Sequence, residues 1–328
     1  MPFKSRTSNN VSWSRAWPNT RWSLILIIAL CLTSCTNPTP RQPNSAPTRM
    51  LIVSIDGLRP DLALLAPTPS LRKLCKTGSY TFWAKTIDYP VTLPSHTSML
   101  TGVLPTRHGV WTNSDWSYGD PPRPQVPTIF ELAKTAGLTT ALVSGKPKFE
   151  TLAQPNSLDW WYVPETYTGV KDLDLADRAA AIIRSHHPQL MFVHLPGVDA
   201  AGHHDGWGSD AQLKAIHTAD KALGRILREL QHENLLDQTV ILVTADHGGS
   251  ALSHWRDDDR NTHIPWIITG PGIRKNTDLT QYRDLSIHTC DTFATACYLL
   301  KIPLPDDITG KPVRRAIEQE APPYDVSY

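Results

Sequence analysis

Three aspartates stand at or just beyond apolar runs: Asp56 after residues 50–55, Asp199 shortly after 190–195, and Asp246 after 239–245. Imidazoles accompany them: His203 lies four residues beyond Asp199, His247 follows Asp246, and His263 opens the run 264–269. One Asp-Gly after a strand is usually a turn, and a single histidine is usually a structural residue. The set asks for more. Short aliphatic runs read as strands covered on both faces of a parallel sheet. Parallel strands end on one side, where open α/β sheets bind their ligands. The acids and imidazoles would then share one edge. Uncompensated carboxylates repel and raise each other's pKa values, a penalty that divalent cations remove. Mixed His/Asp coordination with open positions is what catalytic zinc sites use, and six such ligands suggest two metals.

A hydroxyl joins this set. In residues 89–102, Pro94 falls where a first helical turn tolerates proline, and Gly102 where the helix would stop. Thr92 therefore sits at or just before a helix N-terminus, where partial positive charge favours an alkoxide and a phosphate. On its own, this segment favours an N-capping threonine over a nucleophile.

The elements that must position these residues alternate. Strands are expected at 50–55, 138–143, 190–195, 239–245 and 264–269, with Pro265 pushing the last toward a strand start or a sheet edge. Helices are expected at 129–136, 173–184, 211–230 and 292–300, with Ser209 and Gln212 placed as a capping box for the third. This alternation predicts an α/β fold, a mainly parallel central sheet flanked by helices on both faces.

Asp56, Thr92-x-Pro94-x-His96, Asp199-x-x-x-His203, Asp246-His247 and His263 together resemble the alkaline phosphatase superfamily, and within it the type I phosphodiesterases/nucleotide pyrophosphatases. The order and types match through nearly all of residues 49–328. The resemblance implies an alkaline phosphatase-like catalytic domain over that span. It implies one zinc held by Asp199, His203 and His263, and a second held by Asp56, Asp246 and His247 that also contacts Thr92. Residues 108–113 resemble the family segment whose asparagine donates to a phosphoryl oxygen, which gives Asn113 that role. Hydrolysis would proceed through a phospho-threonine. Type I sulfatases belong to the same superfamily, but Thr92 stands where they carry a modified Cys or Ser. By formal counting, two divalent cations and three aspartates leave about +1, so a deprotonated Thr92 makes the site neutral.

The kind of ester is a finer question. Trp111, Trp116, Tyr118 and Trp207 lie near the site in sequence and could stack on a nucleobase, or simply pack. Lys146 and Lys148 resemble the paired cations that monoesterases and phosphonoacetate hydrolases of the superfamily direct at extra negative charge; as ordinary surface lysines they would mean nothing. The expectation is a phosphodiesterase/nucleotide pyrophosphatase acting on a small phosphate ester or nucleotide. A monoesterase using the two lysines, a phosphotransferase and a non-catalytic phosphate-ligand binder are the alternatives.

Residues 1–34 read as a lipoprotein signal peptide. A cationic leader precedes the apolar run 24–32, which is too short to span a bilayer. Leu32-Thr33-Ser34-Cys35 resembles a lipobox, with Cys35 as the acylated residue. Residues 35–48, rich in proline, read as a lipid-anchored tether. The expected location is the bacterial cell envelope, at the outer membrane facing the periplasm. Composition agrees with a globular domain: 40% hydrophobic, 19% charged, and 32 Lys+Arg against 31 Asp+Glu over 328 residues. No basic excess points to nucleic acid. Cys75, Cys290 and Cys297 are too few for a disulfide scaffold, and a core role suits Cys290 and Cys297.

Overall fold

In the computed structural model, which describes residues 49–113, 122–167, 169–255 and 258–317, eight strands form one sheet. They are β1 (Arg49–Ile55), β2 (Gly78–Lys85), β3 (Thr140–Val143), β4 (Trp160–Tyr162), β5 (Leu190–Leu195), β6 (Thr239–Thr244), β7 (His263–Thr269) and β8 (Thr277–Asp278). The spatial order is β4-β3-β5-β1-β6-β7-β2-β8. All pairs are parallel except β6/β7 and β2/β7. Helices flank this sheet, as its buried aliphatic strands require: β1 is buried from Met50 on, and β5 and β6 throughout. Cys290 and Cys297 are free and buried in the core.

The three central strands β5, β1 and β6 are adjacent and parallel, so their carboxyl ends lie side by side. That adjacency brings Asp56, Asp199 and Asp246 to one edge. β7 runs antiparallel to β6 and starts at the same edge. It is no border strand: it pairs with β6 on one side and β2 on the other. Pro265 is tolerated there because β2 breaks register opposite it, between Thr81 and Ala84, so no ladder hydrogen bond is demanded of its nitrogen.

The helices fall close to their expected places, at Ile129–Thr135, Asp172–His186, Asp210–His232 and Thr289–Leu299. The Ser209 hydroxyl accepts from Gln212 N at 3.2 Å, but the Gln212 side chain turns to Gly208 N (2.7 Å), one residue short of a capping box. Helix Thr92–Thr101 is buried at every position and ends on Gly102, whose φ of 74° suits a residue without Cβ. A Cβ there would come 2.4 Å from the Phe293 ring.

The signal, the tether and Cys35 lie outside the described residues, as do Trp116 and Tyr118. Among the described residues no helix is long and apolar enough to cross a membrane.

Candidate metal centre and nucleophile

Two ligand groups form at the strand ends. The ligand atoms of Asp56, Asp246 and His247 lie within 4.8 Å of one another, and so do those of Asp199, His247 and His254. His203 joins the second group: its Nε2 is 3.4 Å from Asp199 Oδ1 and 3.1 Å from His254 Nε2, which is 4.0 Å from the same carboxylate oxygen.

The hydrogen bonds of these imidazoles decide what the groups can hold. His247 Nδ1 faces Gly248 O at 2.8 Å, His254 Nδ1 faces Pro90 O at 2.6 Å, and His203 Nδ1 faces Leu252 O at 2.9 Å. A carbonyl only accepts, so each Nδ1 carries the proton and each Nε2 presents a lone pair. The lone pair of His247 meets Asp246 Oδ2 at 3.2 Å and Asp56 Oδ1 at 3.5 Å; those of His203 and His254 meet each other. Acceptor against acceptor at such distances is repulsive without a cation between them. Asp56 Oδ1, Asp199 Oδ1, Asp246 Oδ2 and His247 Nε2 are buried with no hydrogen-bond partner. Buried atoms of this kind are normally satisfied. The donor set therefore fits divalent cations, and backbone carbonyls orient the ligating rings as metal-bound histidines require.

Burial, the largest influence, holds the His247 imidazole below its usual pKa and pushes His254 down to about 3, so both are neutral and able to ligate at neutral pH. Burial also works to raise all three carboxyls. In Asp56, Lys146 and the His194 hydrogen bond overcome it, and the group stays well below the ordinary carboxylate range. In Asp246 burial wins, reinforced by the Asp56 charge, and without a cation the carboxyl lies well above it, a shift that a divalent cation at the site would oppose.

His263 is not where the resemblance put it. Its Nδ1 faces Asp259 O at 2.9 Å, its ring lies 4.4 Å from the ring of Trp83, and its Nε2 is buried without a partner. It belongs to neither ligand group. β7, which it opens, stands three strands from β5, about 14 Å along the sheet, whereas the loop carrying His254 folds back over the edge. Sequence spacing held no sign of His254. His194 was also missed: it is the one polar side chain in β5, and its Nε2 donates to Asp56 Oδ2 at 2.7 Å while Gly145 N donates to its Nδ1. A histidine in the middle of an aliphatic strand was the available signal.

Thr92 is the first residue of its helix and not the cap, which is Val91. Its hydroxyl makes no capping bond and instead accepts from Lys146 Nζ at 3.2 Å. Asn113 lies beside it. The Asn113 Oδ1 accepts from Leu93 N (2.9 Å) and from Lys148 Nζ (3.0 Å), which leaves Nδ2, a donor, as the other end of the amide. Lys148 also donates to Asn113 O at 2.7 Å. Lys146 is buried and bonds Asp56 Oδ2 and Asp199 Oδ2 at 2.7 and 2.6 Å. Neither lysine is an ordinary surface residue. Trp111 is exposed, while Trp207 packs beneath the site with its Nε1 donating to Gly57 O at 3.1 Å.

Comparison with known proteins agrees with this geometry. The rat "Ectonucleotide pyrophosphatase/phosphodiesterase family member 3" is 23% identical over 253 residues, which covers 70% of this chain and 28% of that protein. The Xenopus laevis "Bis(5'-adenosyl)-triphosphatase enpp4" is 23% identical over 266 residues, 76% of this chain and 56% of that one. The chain thus spans about half or less of these relatives' lengths. Among solved structures, an inactive threonine-to-alanine variant of murine ectonucleotide pyrophosphatase/phosphodiesterase 5 in complex with AMP superposes with a TM-score of 0.66 at 17% identity, covering 80% of this chain and 97% of that one. A phosphonate monoester hydrolase from Silicibacter pomeroyi gives 0.61 at 19%, covering 85% and 78%. The family model "Type I phosphodiesterase / nucleotide pyrophosphatase" matches residues 50–268, a span that runs from β1 into β7 and contains every ligand described above. By that match the chain belongs to the type I phosphodiesterase/nucleotide pyrophosphatase family.

Proposed function

We propose that this protein is a two-metal phosphoric ester hydrolase that cleaves phosphodiesters and pyrophosphates through a phospho-threonine at Thr92. The observation that carries the reading is the set of imidazole lone pairs and buried carboxylate oxygens facing one another beside a hydroxyl that makes no capping bond. Asp56, Asp246 and His247 would hold one cation near Thr92, and Asp199, His203 and His254 the other. Zinc suits this mixed His/Asp set; bound there, two such ions supply Lewis-acid stabilisation of the attacking and leaving oxygens.

The chain's own residues do the rest. Thr92 Oγ1 attacks phosphorus; the new P–O bond forms as the bond to the leaving alcohol or phosphate breaks. Water then displaces Thr92 from phosphorus and restores its hydroxyl. Asn113 Nδ2 donates to an equatorial oxygen as charge develops, on an amide held by Leu93 N and Lys148. Lys146 is paired with Asp56 and Asp199, and with two divalent cations and an ionised Thr92 the net is about +1 by formal counting, so an anionic ester is not repelled. Lys146 and Lys148 already donate to protein acceptors, which favours the singly charged diester over a monoester. The exposed Trp111, two residues before Asn113 in the chain, would meet an aromatic leaving group. On Leu32-Thr33-Ser34-Cys35 alone, the protein is assigned to the bacterial envelope as a lipoprotein.

Zinc-loaded protein should release phenolate from a bis-aryl phosphate with kcat/KM at least about tenfold above that for the mono-aryl ester. Release from neither substrate removes the hydrolase reading. Phosphorylation of an added alcohol would make the protein a phosphotransferase.

A further inference from the structure

Lys146 occupies an unusual position for a lysine. Its Nζ lies 2.7 Å from Asp56 Oδ2, 2.6 Å from Asp199 Oδ2 and 3.2 Å from Thr92 Oγ1. The ammonium donates to Asp199 Oδ2 and Thr92 Oγ1 and is ion-paired with Asp56 Oδ2, so its charge is already engaged by the protein.

Each carboxylate turns Oδ2 to Lys146, with Asp56 Oδ2 also accepting from His194 Nε2 at 2.7 Å, and each keeps Oδ1 buried and without a hydrogen-bond partner. Those remaining oxygens belong to different ligand groups. Asp56 Oδ1 faces His247 Nε2 at 3.5 Å, and Asp199 Oδ1 faces His203 Nε2 at 3.4 Å. The backbone is built to bring the lysine there. Gly145 packs so closely on Pro196, just beyond β5, that a Cβ would lie 2.4 Å from its ring. The Ser144 hydroxyl accepts from Lys146 N (3.1 Å), fixing the turn.

We propose that Lys146 is a positioning residue that ties the two metal groups together from behind. It selects which oxygen of Asp56 and of Asp199 faces its cation, and it sets the Thr92 hydroxyl between them. It does not read the charge of the substrate. The link to Thr92 rests on the hydrolase reading; the tie between the carboxylates does not.

The test compares wild type, Lys146→Met and Lys146→Arg, after chelation and again after zinc is restored. Chelated Lys146→Met should melt about 10 °C or more below chelated wild type, because the buried carboxylates lose their cation. Restored zinc should narrow that gap to less than half, and Lys146→Met that folds only with zinc is the extreme of the same result. A gap that zinc leaves unchanged, or no gap at all, overturns the proposal. Should Lys146→Met fold in neither state, Lys146→Arg decides: retaining the charge without the three-point fit, it should lower kcat for bis-aryl and mono-aryl phosphate by the same factor, with KM nearly constant. A loss confined to KM for the mono-aryl ester would make Lys146 a reader of substrate charge. The melting experiment needs no substrate, so failure of the hydrolase reading leaves it intact.

Discussion

Two polar regions sit in contact in this protein, and they are satisfied in opposite ways. Helix Thr92–Thr101 is wholly buried, yet its polar side chains beyond the first residue have partners. Ser95 donates to Asp246 O (2.8 Å), His96 bonds Ser54 and Thr92 O (2.8 Å each), Thr97 and Thr101 donate one turn back (2.7 Å each), and Ser98 meets His108 (2.9 Å). The strand-end cluster beside it leaves Asp56 Oδ1, Asp199 Oδ1, Asp246 Oδ2 and His247 Nε2 without any. A buried polar atom left unpaired costs about 1–3 kcal/mol, more if charged. The helix avoids that cost with its own chain. The cluster retains its unpaired atoms, and the difference marks them as valence reserved for ions. Thr92 stands on the border: it belongs to the helix by position and to the cluster by its hydroxyl.

The largest effect is expected at that border. Thr92→Ala should lower turnover on the order of 10⁴-fold or more, with metal content unchanged. The hydroxyl serves the reaction rather than the helix, so melting should move by only a few degrees. Retained turnover would return Thr92 to the helix and blur the distinction between the regions.

How much of this was legible in sequence follows the same border. Runs of mostly apolar residues announced β1, β5 and β6, and with them the meeting of Asp56, Asp199 and Asp246. β2, by contrast, reads Gly-Ser-Tyr-Thr-Phe-Trp-Ala-Lys and leaves Trp83 exposed, so neither alternation nor an aliphatic run marks it. β4 and β8 are too short to carry a period. His254 sits in an irregular loop whose path no local pattern fixes, and His263, next to a clear strand, drew the assignment instead. Lys146 was legible as a residue near the edge. Its direction was not, because that depends on Gly145 packing against Pro196, a contact between segments 51 positions apart.

A smaller effect sharpens the helix side of the comparison. His108 Nδ1 accepts from Val110 N at 3.1 Å, so Nε2 carries the proton and donates to Ser98. Burial lowers its pKa to about 4, against roughly 6.5 in the unfolded chain. Between these values the unfolded chain binds a proton that the folded one does not, so stability falls as pH drops through that window, by up to about 3 kcal/mol. Urea unfolding at pH 7, 5.5 and 4.5 should show a shallower acid decline in His108→Gln. An identical slope would mean that the imidazole of this paired region carries no such penalty.

The claim beneath all of this is that the unpaired atoms at the strand ends are metal ligands, with His254 among them. Elemental analysis of purified protein, His254→Ala and His263→Ala tests it most directly. The account predicts two divalent ions per chain in wild type and in His263→Ala, and the loss of about one in His254→Ala. Metal-free active protein, or ions lost from His263→Ala and kept in His254→Ala, would contradict it.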